Sequence, residues 1–407
     1  MKKLCSLLLC AALIMGLAAG CARVTPEETE PPVTETAAPT EWVLEETAQP
    51  RKYEGVTLVM GSSWAEDAPE AAVLTQAAEV FEARTGAVVE LRWGGEEAAD
   101  ILQLSGTALA EGAGDLLDLT ELAAAAGYAE KSYSCLTEQV VSRCGYLAAI
   151  PQTPYVTGIY YNREAFEAAG IAQTPQTWSA FLEVCAALKA AGWEPLTLNS
   201  EDAGPVLLRH LTQYLGAEAE NIARTGGWQE KALDAAADLV DFAGAGYLVS
   251  GAPAGENRVT LSNAAMVYGT NALCARAEEA ARADLRWGMF PYPGVGGAEP
   301  VISVDAEVLA VSAACAAPQA AFDFILLLTT GEFDQLRADL TKGIPADPGN
   351  VSPIAGASEA LTLAQTVEPA NGAFTEEQLN VILKLWKGKC TESAAFAAEM
   401  DRLYPET

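Results

Sequence analysis

The side chains that most often carry chemistry are sparse in this sequence. His210 is the only histidine, and it lies between leucines in a predicted helix. A single histidine excludes an HExxH motif and any metal site built from several histidines, and it argues against a histidine-based catalytic triad. We expect His210 to be a capped or solvated helix residue rather than a catalyst.

Other motifs of catalysis and cofactor binding are missing as well. The sequence contains no GxxxxGK[ST] phosphate loop and no strand-linked GxGxxG. The glycines at 294–297 follow Pro293 and indicate a turn. Acidic residues are numerous enough to include a glycosidase pair, but no pair stands out by position. We therefore expect neither an enzyme nor a cofactor.

The cysteines do not form a recognisable metal or disulfide pattern. Three of the nine lie in the first 21 residues. The others are Cys135, Cys144, Cys185, Cys274, Cys315 and Cys390. They include no CxxC pair, which argues against zinc. Cys185 and Cys315 lie in apolar runs typical of buried thiols. A disulfide between Cys135 and Cys144 across a short loop stays open if the compartment is oxidising.

The charge balance excludes one class of partner. The chain has 24 basic and 55 acidic residues, a formal net charge of −31. Such a chain cannot neutralise phosphates, so we expect no nucleic acid partner. Direct adsorption to anionic lipid is disfavoured for the same reason. An acidic surface that keeps an exported protein soluble explains the charge.

The first residues have the pattern of an export signal. Residues 1–21 combine two lysines, an apolar run too short to span a bilayer, and small residues before Cys21. Residues 17–21 resemble a lipobox, where bacterial lipoproteins are cleaved and the cysteine is acylated; the alternative is a plain signal peptide cut nearby. We predict a lipoprotein signal at 1–21 and lipidation of Cys21. Residues 22–52, rich in Thr, Glu and Pro, are predicted to be a disordered tether.

One central stretch predicts a strand and two capped helices. Residues 156–161 form a predicted strand, and Asn162 can cap the helix that follows, which Gly170 ends. Thr177 can cap a second helix that Gly192 stops. That helix has one apolar face, formed by Phe181, Val184, Cys185 and Leu188.

The same stretch, IPQTPYVTGIYYNREAFEAAGI followed by TPQTWSAFLEVCAALKAAG, resembles a segment of family 1 extracellular solute-binding proteins of sugar ABC transporters, which are maltose-binding-protein-like. The resemblance implies a type II α/β clamshell of two lobes, each a mixed sheet flanked by helices. The first lobe would comprise residues 53–154 and 301–350, and the second 155–300 and 351–405. The chain would cross the hinge near residues 154, 300 and 350.

Two departures from the family are visible in the sequence. The run AAEVFEARTGAVVEL resembles the family's first helix and second strand. The family then usually has a long helix before the residue that corresponds to Asp100, and here that helix is missing or reduced to one turn. Further on, LSNAAMVYGTNALC resembles a family strand but has Asn271 where the family has a tryptophan, so Tyr268 is expected to supply the aromatic surface instead.

The resemblance also supplies candidate ligand-binding residues around the cleft. They are Ser63, Trp64, Ser105, Thr107, Gln152, Tyr155, Asn199, Glu201, Tyr268, Asn271 and Glu307. Saccharides are bound by aromatic faces against their C–H surfaces and by directed hydrogen bonds to their hydroxyls. Ligands of such folds lie beyond the carboxyl ends of strands, where Ser63 and Trp64 are expected.

By this resemblance we expect a monomeric, lipid-anchored protein on the extracytoplasmic face of the cell membrane. It would capture a carbohydrate between its lobes and deliver it to the permease subunits of an ABC transporter. Two alternatives stay open. One is a peptide or metal-ion carrier of the same fold, since Tyr160 and Tyr161 resemble adjacent tyrosines of ferric-ion-binding relatives. The other is a non-transport sensor or scaffold lipoprotein, suggested by the two departures.

Overall fold

The computed structural model describes residues 51–95, 98–199, 202–252, 263–274, 286–366 and 374–404. The predicted signal segment, Cys21 and almost all of the predicted tether lie outside the described residues. Glu201 lies outside them as well.

The described chain alternates between strands and helices. The strands are β1 (Thr57–Ser62), β2 (Val88–Trp93), β3 (Ile101–Leu104), β4 (Ala149–Asn162), β5 (Glu194–Asn199), β6 (Leu248–Ala252), β7 (Ala264–Thr270), β8 (Trp287–Phe290), β9 (Val301–Val311) and β10 (Gln365–Thr366). The helices are α1 (Pro69–Thr85), α2 (Gly106–Gly112), α3 (Thr120–Ala125), α4 (Ser134–Cys144), α5 (Arg163–Ala168), α6 (Trp178–Ala190), α7 (Ala203–Leu215), α8 (Glu218–Thr225), α9 (Trp228–Lys231), α10 (Leu233–Gly244), α11 (Pro318–Thr329), α12 (Gly331–Thr341), α13 (Ala357–Leu363), α14 (Glu376–Trp386) and α15 (Ser393–Asp401).

One mixed sheet runs through the molecule in the order β2-β1-β3-β9-β4-β7-β5-β6. Off this path, β8 pairs with β4 and β10 with β9. The two longest strands, β4 and β9, lie antiparallel in the middle, and Pro154 is paired with Ala306. The fold class is therefore mixed α/β, as predicted, and β4 and β9 are the two connections that run from one side of the sheet to the other.

Each side of the central strands has its own apolar core. The first-lobe core draws on residues 58–150 and 306–333, and the second-lobe core on 159–301 and 381–400. A third cluster joins Leu136 of α4 to Ile302, Ile344 and Leu361. Along β4 and along β9 the buried residues pass from one core to the other. These two strands lie where the chain is predicted to cross the hinge. The domain boundaries themselves stay a prediction.

The central stretch folds as its sequence predicts. The Asn162 side chain accepts a hydrogen bond from the Glu164 N–H at 2.9 Å and so caps α5. Thr177 caps α6 by accepting from the Ala180 N–H at 3.3 Å. The predicted apolar face of α6 is buried in the second-lobe core. These caps each contribute about 1 kcal/mol and fix where the two helices begin.

The helix that the family usually has before Asp100 is absent. Only seven residues join β2 to β3, and those described, 94–95 and 98–100, are not helical. The connection can be short because Trp93 ends β2 level with Ser62 of β1, while Ile101 starts β3 level with Met60. From Trp93 to Ile101 the chain moves back by only two residues along the strand direction and crosses the width of two strand spacings. Seven residues at about 3.3 Å each can cover this distance.

The sequence of β2 fits a strand that has a helix on only one face. Val89, Leu91 and Trp93 turn toward α1 and are buried or half-buried. Glu90 and Arg92, which point to the other face, are exposed. A strand covered on both sides would be apolar throughout. The alternation in β2 shows that no helix is needed on its second face.

Helix α4 and Gly106 hold the first-lobe end of β9. The Gln139 side chain donates to the Val304 carbonyl, and Arg143 forms an ion pair with Asp305 at 2.9 Å. This pair passes directly over Gly106. A Cβ at Gly106 would lie 1.8 Å from an Arg143 nitrogen and 2.3 Å from an Asp305 oxygen. Glycine is therefore required at this close approach.

The disulfide left open in the sequence does not fit the structure. Cys135 and Cys144 lie nine residues apart in the single helix α4, which separates their Cα atoms by about 13 Å at 1.5 Å per residue. A disulfide requires less than about 7 Å. Both thiols are free, Cys185 is buried as predicted, and Cys315 is only partly buried.

Helix α11 is one of the most apolar stretches, and its residues from Ala320 to Leu328 belong to the first-lobe core, as predicted. No helix in the described part of the chain is both long and apolar enough to cross a membrane.

Candidate functional site

A buried polar network lies where β1 and β3 meet the central strands. The Ser62 hydroxyl donates to Gln103 Oε1 at 2.7 Å, and the Ser63 N–H donates to the same oxygen at 3.0 Å. Gln103 Nε2 donates to Gln152 Oε1 at 3.0 Å and to Glu307 Oε2 at 3.5 Å. We call Ser62, Gln103, Gln152 and Glu307 the polar network. It joins four strands, β1, β3, β4 and β9.

Three of its members are almost fully buried, since Ser62, Gln103 and Gln152 are 0%, 6% and 1% exposed. Gln152, predicted as a ligand contact, is almost fully buried, and its Oε1 accepts the hydrogen bond from Gln103. Its contact with a ligand stays a prediction. Gln103 and Ser62 were not predicted. Gln103 lies in the middle of a four-residue strand, where only the pairing of that strand with β1 and β9 reveals its neighbours.

Glu307 brings two predicted aromatic residues to this network. Tyr155 and Trp64 both lie near its carboxylate. Burial raises the pKa of Glu307, and the charge of Glu70 in the first turn of α1 raises it further, against the hydrogen bonds and the charge of Arg337. Burial, followed by the negative charge of Glu307, raises the pKa of Tyr155. Trp64, Tyr155 and Glu307 are each partly buried and partly accessible.

The other predicted first-lobe residues lie close by in sequence but differ in role. Ser63 and Thr107 are exposed. Ser105 caps α2, because its hydroxyl accepts from the Ala108 N–H at 3.3 Å. Ser105 therefore positions the first turn of α2 beside the end of β3.

Two predicted second-lobe residues occupy structural positions instead. Tyr268 is 3% exposed and belongs to the second-lobe core, with its ring 6.1 Å from that of Tyr292. It cannot present an aromatic face to a ligand in this arrangement, because Met266 and Tyr268 share the face of β7 that packs into the core. The expected role of Tyr268 does not fit this placement.

Asn271 is 4% exposed and holds the backbone of β4. Its amide oxygen accepts from the Val156 N–H at 2.9 Å, and its amide nitrogen donates to the Pro154 carbonyl at 3.0 Å. Both groups of the side chain are thereby occupied, and the residue they enclose is Tyr155. Asn271 acts as a clamp on the hinge strand, and its expected contact with a ligand stays a prediction. The backbone of Asn199 ends β5, and Glu201 lies outside the described residues.

His210 is buried, so the expectation of a capped or solvated histidine is wrong. Its ring is 0% exposed, and its Nδ1 lies 2.9 Å from the Tyr292 hydroxyl. The Asp238 carboxylate is 3.7 Å from Nε2, beyond hydrogen-bond distance. Burial lowers the pKa of His210 although Asp238 opposes this. The neighbouring Arg209 donates to Ser303 on β9, which ties α7 to the second central strand.

A large groove in the described residues lies elsewhere. It has a volume of about 1020 Å³ and is lined by residues of 161–176, 289–300 and 355–364, none of which is a predicted site residue. We place the candidate site at the polar network because polar and aromatic side chains from several elements converge there. In the described part of the chain no group of histidine, cysteine and acidic side chains could hold a metal ion.

Comparison with solved structures supports a solute-binding fold. A probable secreted solute-binding lipoprotein from Streptomyces coelicolor matches with a TM-score of 0.63 and 16% identity, over 86% of this chain and 99% of that one. A chitin oligosaccharide binding protein matches with a TM-score of 0.55 and 20% identity, over 86% and 98%. The solute-binding protein RafE in complex with raffinose matches with a TM-score of 0.57 and 16% identity, over 86% and 98%.

No curated protein sequence matches this chain significantly. The family comparison is decisive, because residues 61–332, more than half of the chain, match a single family. That range contains both central strands and every described residue of the polar network. The chain therefore belongs to the bacterial extracellular solute-binding proteins.

Proposed function

We propose that this protein captures a carbohydrate between its two lobes and delivers it to an ABC transporter permease. The observation that carries the proposal is the buried polar network of Gln103 and Gln152 that ends at the partly accessible Glu307, with the partly accessible aromatic residues Trp64 and Tyr155 nearby. Aromatic faces and fixed hydrogen-bonding groups are the two requirements of saccharide recognition.

The arrangement of these groups supports a site that closes on its ligand. Trp64 and Glu307 belong to elements of the first-lobe side, while Tyr155 lies on β4 between the two cores. A ligand that touches all three would bias the two lobes toward one relative position. Structural neighbours that bind chitin oligosaccharide and raffinose are consistent with a saccharide ligand.

The proposed ligand-binding residues are Ser63, Trp64, Thr107, Tyr155 and Glu307, with Asn199 and Glu201 as second-lobe candidates. Gln152 and Ser105 are proposed to support them. We also propose that the protein acts as a monomer, without a cofactor and without catalysis. The experiment is a thermal-shift screen of the purified protein against a panel of saccharides. A ligand at 100 times its Kd stabilises the folded state by about 2.7 kcal/mol. No shift with any saccharide, together with a shift by a peptide or a metal ion, would replace the proposal with the corresponding alternative.

The same screen tests the absence of catalysis. A saccharide that binds is expected to be recovered with its mass and linkages unchanged. Turnover that persists after a second purification would contradict the proposal of a binding protein.

We further propose that residues 1–21 are a lipoprotein signal and that acylated Cys21 anchors the protein on the extracytoplasmic face of the membrane. Cys21→Ser is expected to move the protein from the membrane fraction to the medium or to an uncleaved precursor. Unchanged partitioning into detergent would show that no lipid is attached at this position.

A further inference from the structure

The outer edge of strand β2 is unpaired among the described strands. β2 ends the sheet and pairs only with β1. The Val88 N–H donates to the Val56 carbonyl, directly before β1, at 2.9 Å. Backbone groups of successive strand residues point to opposite edges, so the N–H and C=O groups of Val89, Leu91 and Trp93 point away from β1. Such an edge is a template on which another extended chain can pair.

A groove of about 880 Å³ lies beside this edge, between β2 and α1. On the β2 side it is lined by Val89, Leu91 and Trp93, of which the last two are only partly buried. On the α1 side its apolar lining consists of four alanines, Ala68, Ala71, Ala72 and Ala78. Their side chains are too short to fill the space between helix and strand. An added strand would therefore find apolar surface next to the free backbone groups.

The rim of the groove is acidic. It carries four exposed carboxylates, Glu66, Asp67, Glu79 and Glu82. None of the four forms an ion pair with a basic side chain in the described part of the chain. The described lining also contains no lysine and no arginine. The groove therefore attracts positive charge and repels negative charge.

This charge argues against a second copy of the chain as the occupant. In a symmetric pair the same surface of both copies meets, so two acidic rims would face each other. Each copy also brings a formal net charge of −31. Glu90 of one copy could pair with Arg92 of the other, but both side chains are exposed, and such pairs contribute at most about 1 kcal/mol. A basic partner meets no such repulsion.

The apolar floor and the acidic rim together define the side chains that fit. Every second side chain of an added strand points to the α1 side of the sheet. Arginine or lysine at these positions would lay its aliphatic stem over Leu91 and Ala72 and place its charge at the rim. Trp93 adds an aromatic face that attracts such a cation. β-Branched residues at the alternate positions favour the extended form.

We propose that the groove between α1 and β2 is a docking surface for an extended, basic segment of a partner protein, which adds to β2 as a further strand. Main-chain hydrogen bonds along the free edge supply affinity, and the rim carboxylates select alternating basic residues. No residue of the polar network lines this groove. Docking is therefore separate from the proposed capture of a carbohydrate and does not depend on it.

The test uses a synthetic peptide about as long as β2, with alternating arginine and valine and blocked ends. Calorimetry with the purified protein at low ionic strength is expected to show binding that weakens as salt is added. Two peptides are the matched controls. In one, glutamate replaces arginine; in the other, proline replaces valine, which keeps the charge but prevents a regular ladder. Each is expected to bind at least about tenfold more weakly.

Variants of exposed residues then assign the binding to the groove. Glu79→Arg combined with Glu82→Arg is expected to weaken the arginine–valine peptide at least about tenfold. Ala72→Phe fills the groove and is expected to abolish binding. Glu138→Arg combined with Glu183→Arg makes the same change in net charge on two helices that do not line the groove, and is expected to leave binding unchanged. Melting temperatures confirm that each variant is folded.

Each other outcome overturns the proposal. Equal binding of the proline peptide, or binding that survives Ala72→Phe, would show attraction by charge without an added strand. Equal binding of the glutamate peptide, or binding that survives the reversal at the rim, would contradict the basic chemistry of the partner. A protein that sediments as a dimer which Ala72→Phe dissociates would assign the edge to a second copy. No binding of the arginine–valine peptide at low salt would show that the edge accepts no basic strand.

Discussion

The aromatic residues of the two lobes were all expected to contact a ligand, but the structure places them in two different environments, one partly accessible and one buried. Trp64 and Tyr155, at the first lobe and the hinge, are partly accessible and lie near Glu307. Tyr268, in the second lobe, is 3% exposed and lies near Arg209 within the core. The residue type is the same, but only the first pair lies where a ligand can touch it.

Two polar side chains, Glu307 in the first lobe and Asn271 in the second, differ in a similar way. In the first lobe the polar network ends at a carboxylate that no described cation pairs with. In the second lobe Asn271 has its oxygen and its nitrogen bound to the backbone of β4. Polar groups that are satisfied internally stabilise the fold, whereas groups left partly unsatisfied are available for binding. Substitutions on the two sides should therefore separate stability from affinity.

The largest effect is expected for Tyr268→Ala. Removing a buried aromatic ring from the second-lobe core is expected to lower the free energy of unfolding by about 3–5 kcal/mol. The protein that remains folded should bind its saccharide normally. Denaturant unfolding and calorimetry on the same preparation measure the two quantities.

Tyr268→Phe is the matched control, because it keeps the ring and removes only the buried hydroxyl, which lies near Arg209. It is expected to cost about 1 kcal/mol. A Tyr268→Ala protein with near-normal stability and lost binding would place this residue in the site and remove the difference between the lobes.

The next largest effect is expected for Asn271→Ala. The substitution leaves the Val156 N–H and the Pro154 carbonyl without their partner inside the protein. Each unsatisfied buried group costs about 1–3 kcal/mol, so stability should fall measurably in denaturant. Affinity should fall as well, since the clamp encloses Tyr155.

Asn162→Ala provides the comparison for Asn271. It removes another buried asparagine, but one whose oxygen only caps α5. The expected loss is about 1 kcal/mol of stability with unchanged affinity. Equal effects of the two substitutions on affinity would show that the clamp has no special connection to the site.

A smaller effect, confined to binding, is expected for Tyr155→Ala. An aromatic contact contributes about 0.5–1.5 kcal/mol beyond its buried area, and a hydrogen bond about 1 kcal/mol. Together these exceed the 1.4 kcal/mol of a tenfold change, so affinity should weaken at least about tenfold. The melting temperature without ligand should change little.

Tyr155→Phe isolates the contribution of the hydroxyl, which lies near Glu307. It should keep the aromatic contact and lose only part of the affinity. A Tyr155→Ala protein that melts much lower but binds normally would show that Tyr155 is a core residue, like Tyr268.

The sequence predicted the local elements well because their signals are local. Asn162 and Thr177 cap the helices that they precede, and the apolar face of α6 is buried as its spacing predicts. The absence of the long helix before Asp100 was also predicted directly, since the seven residues between β2 and β3 are too few to form it. Caps, periodicity and connection length need no knowledge of distant residues.

The site was predicted only in part because its contacts are not local. Gln103 meets Glu307 across 204 positions of sequence, through the pairing of β3 with β9. Tyr268 lies in β7, where every residue but the last is buried and no alternation indicates which face meets the cleft. Resemblance supplied the candidate region, but only strand pairing shows which of its residues are buried supports and which are accessible.

The last prediction concerns His210, which is expected to lower the free energy of unfolding in mild acid but not at neutral pH. The folded pKa of His210 lies below its ordinary value, because burial outweighs the attraction of Asp238. As pH falls below about 6.5, the usual histidine pKa, the unfolded chain takes up a proton that the folded chain refuses. Stability is therefore complete above that pH and is lost progressively below it. Unfolding free energies measured between mildly acidic and neutral pH should show this slope, and His210→Gln should flatten it. Asp238 contributes separately. Burial acts to raise the pKa of its carboxyl, but the nearby His210 and the hydrogen bond from the Tyr214 hydroxyl hold that pKa below its usual value, so its contribution is lost only in stronger acid. If His210→Gln leaves the slope unchanged, this histidine takes up its proton while the protein stays folded. The second-lobe core would then accept a charge more readily than the first-lobe site does.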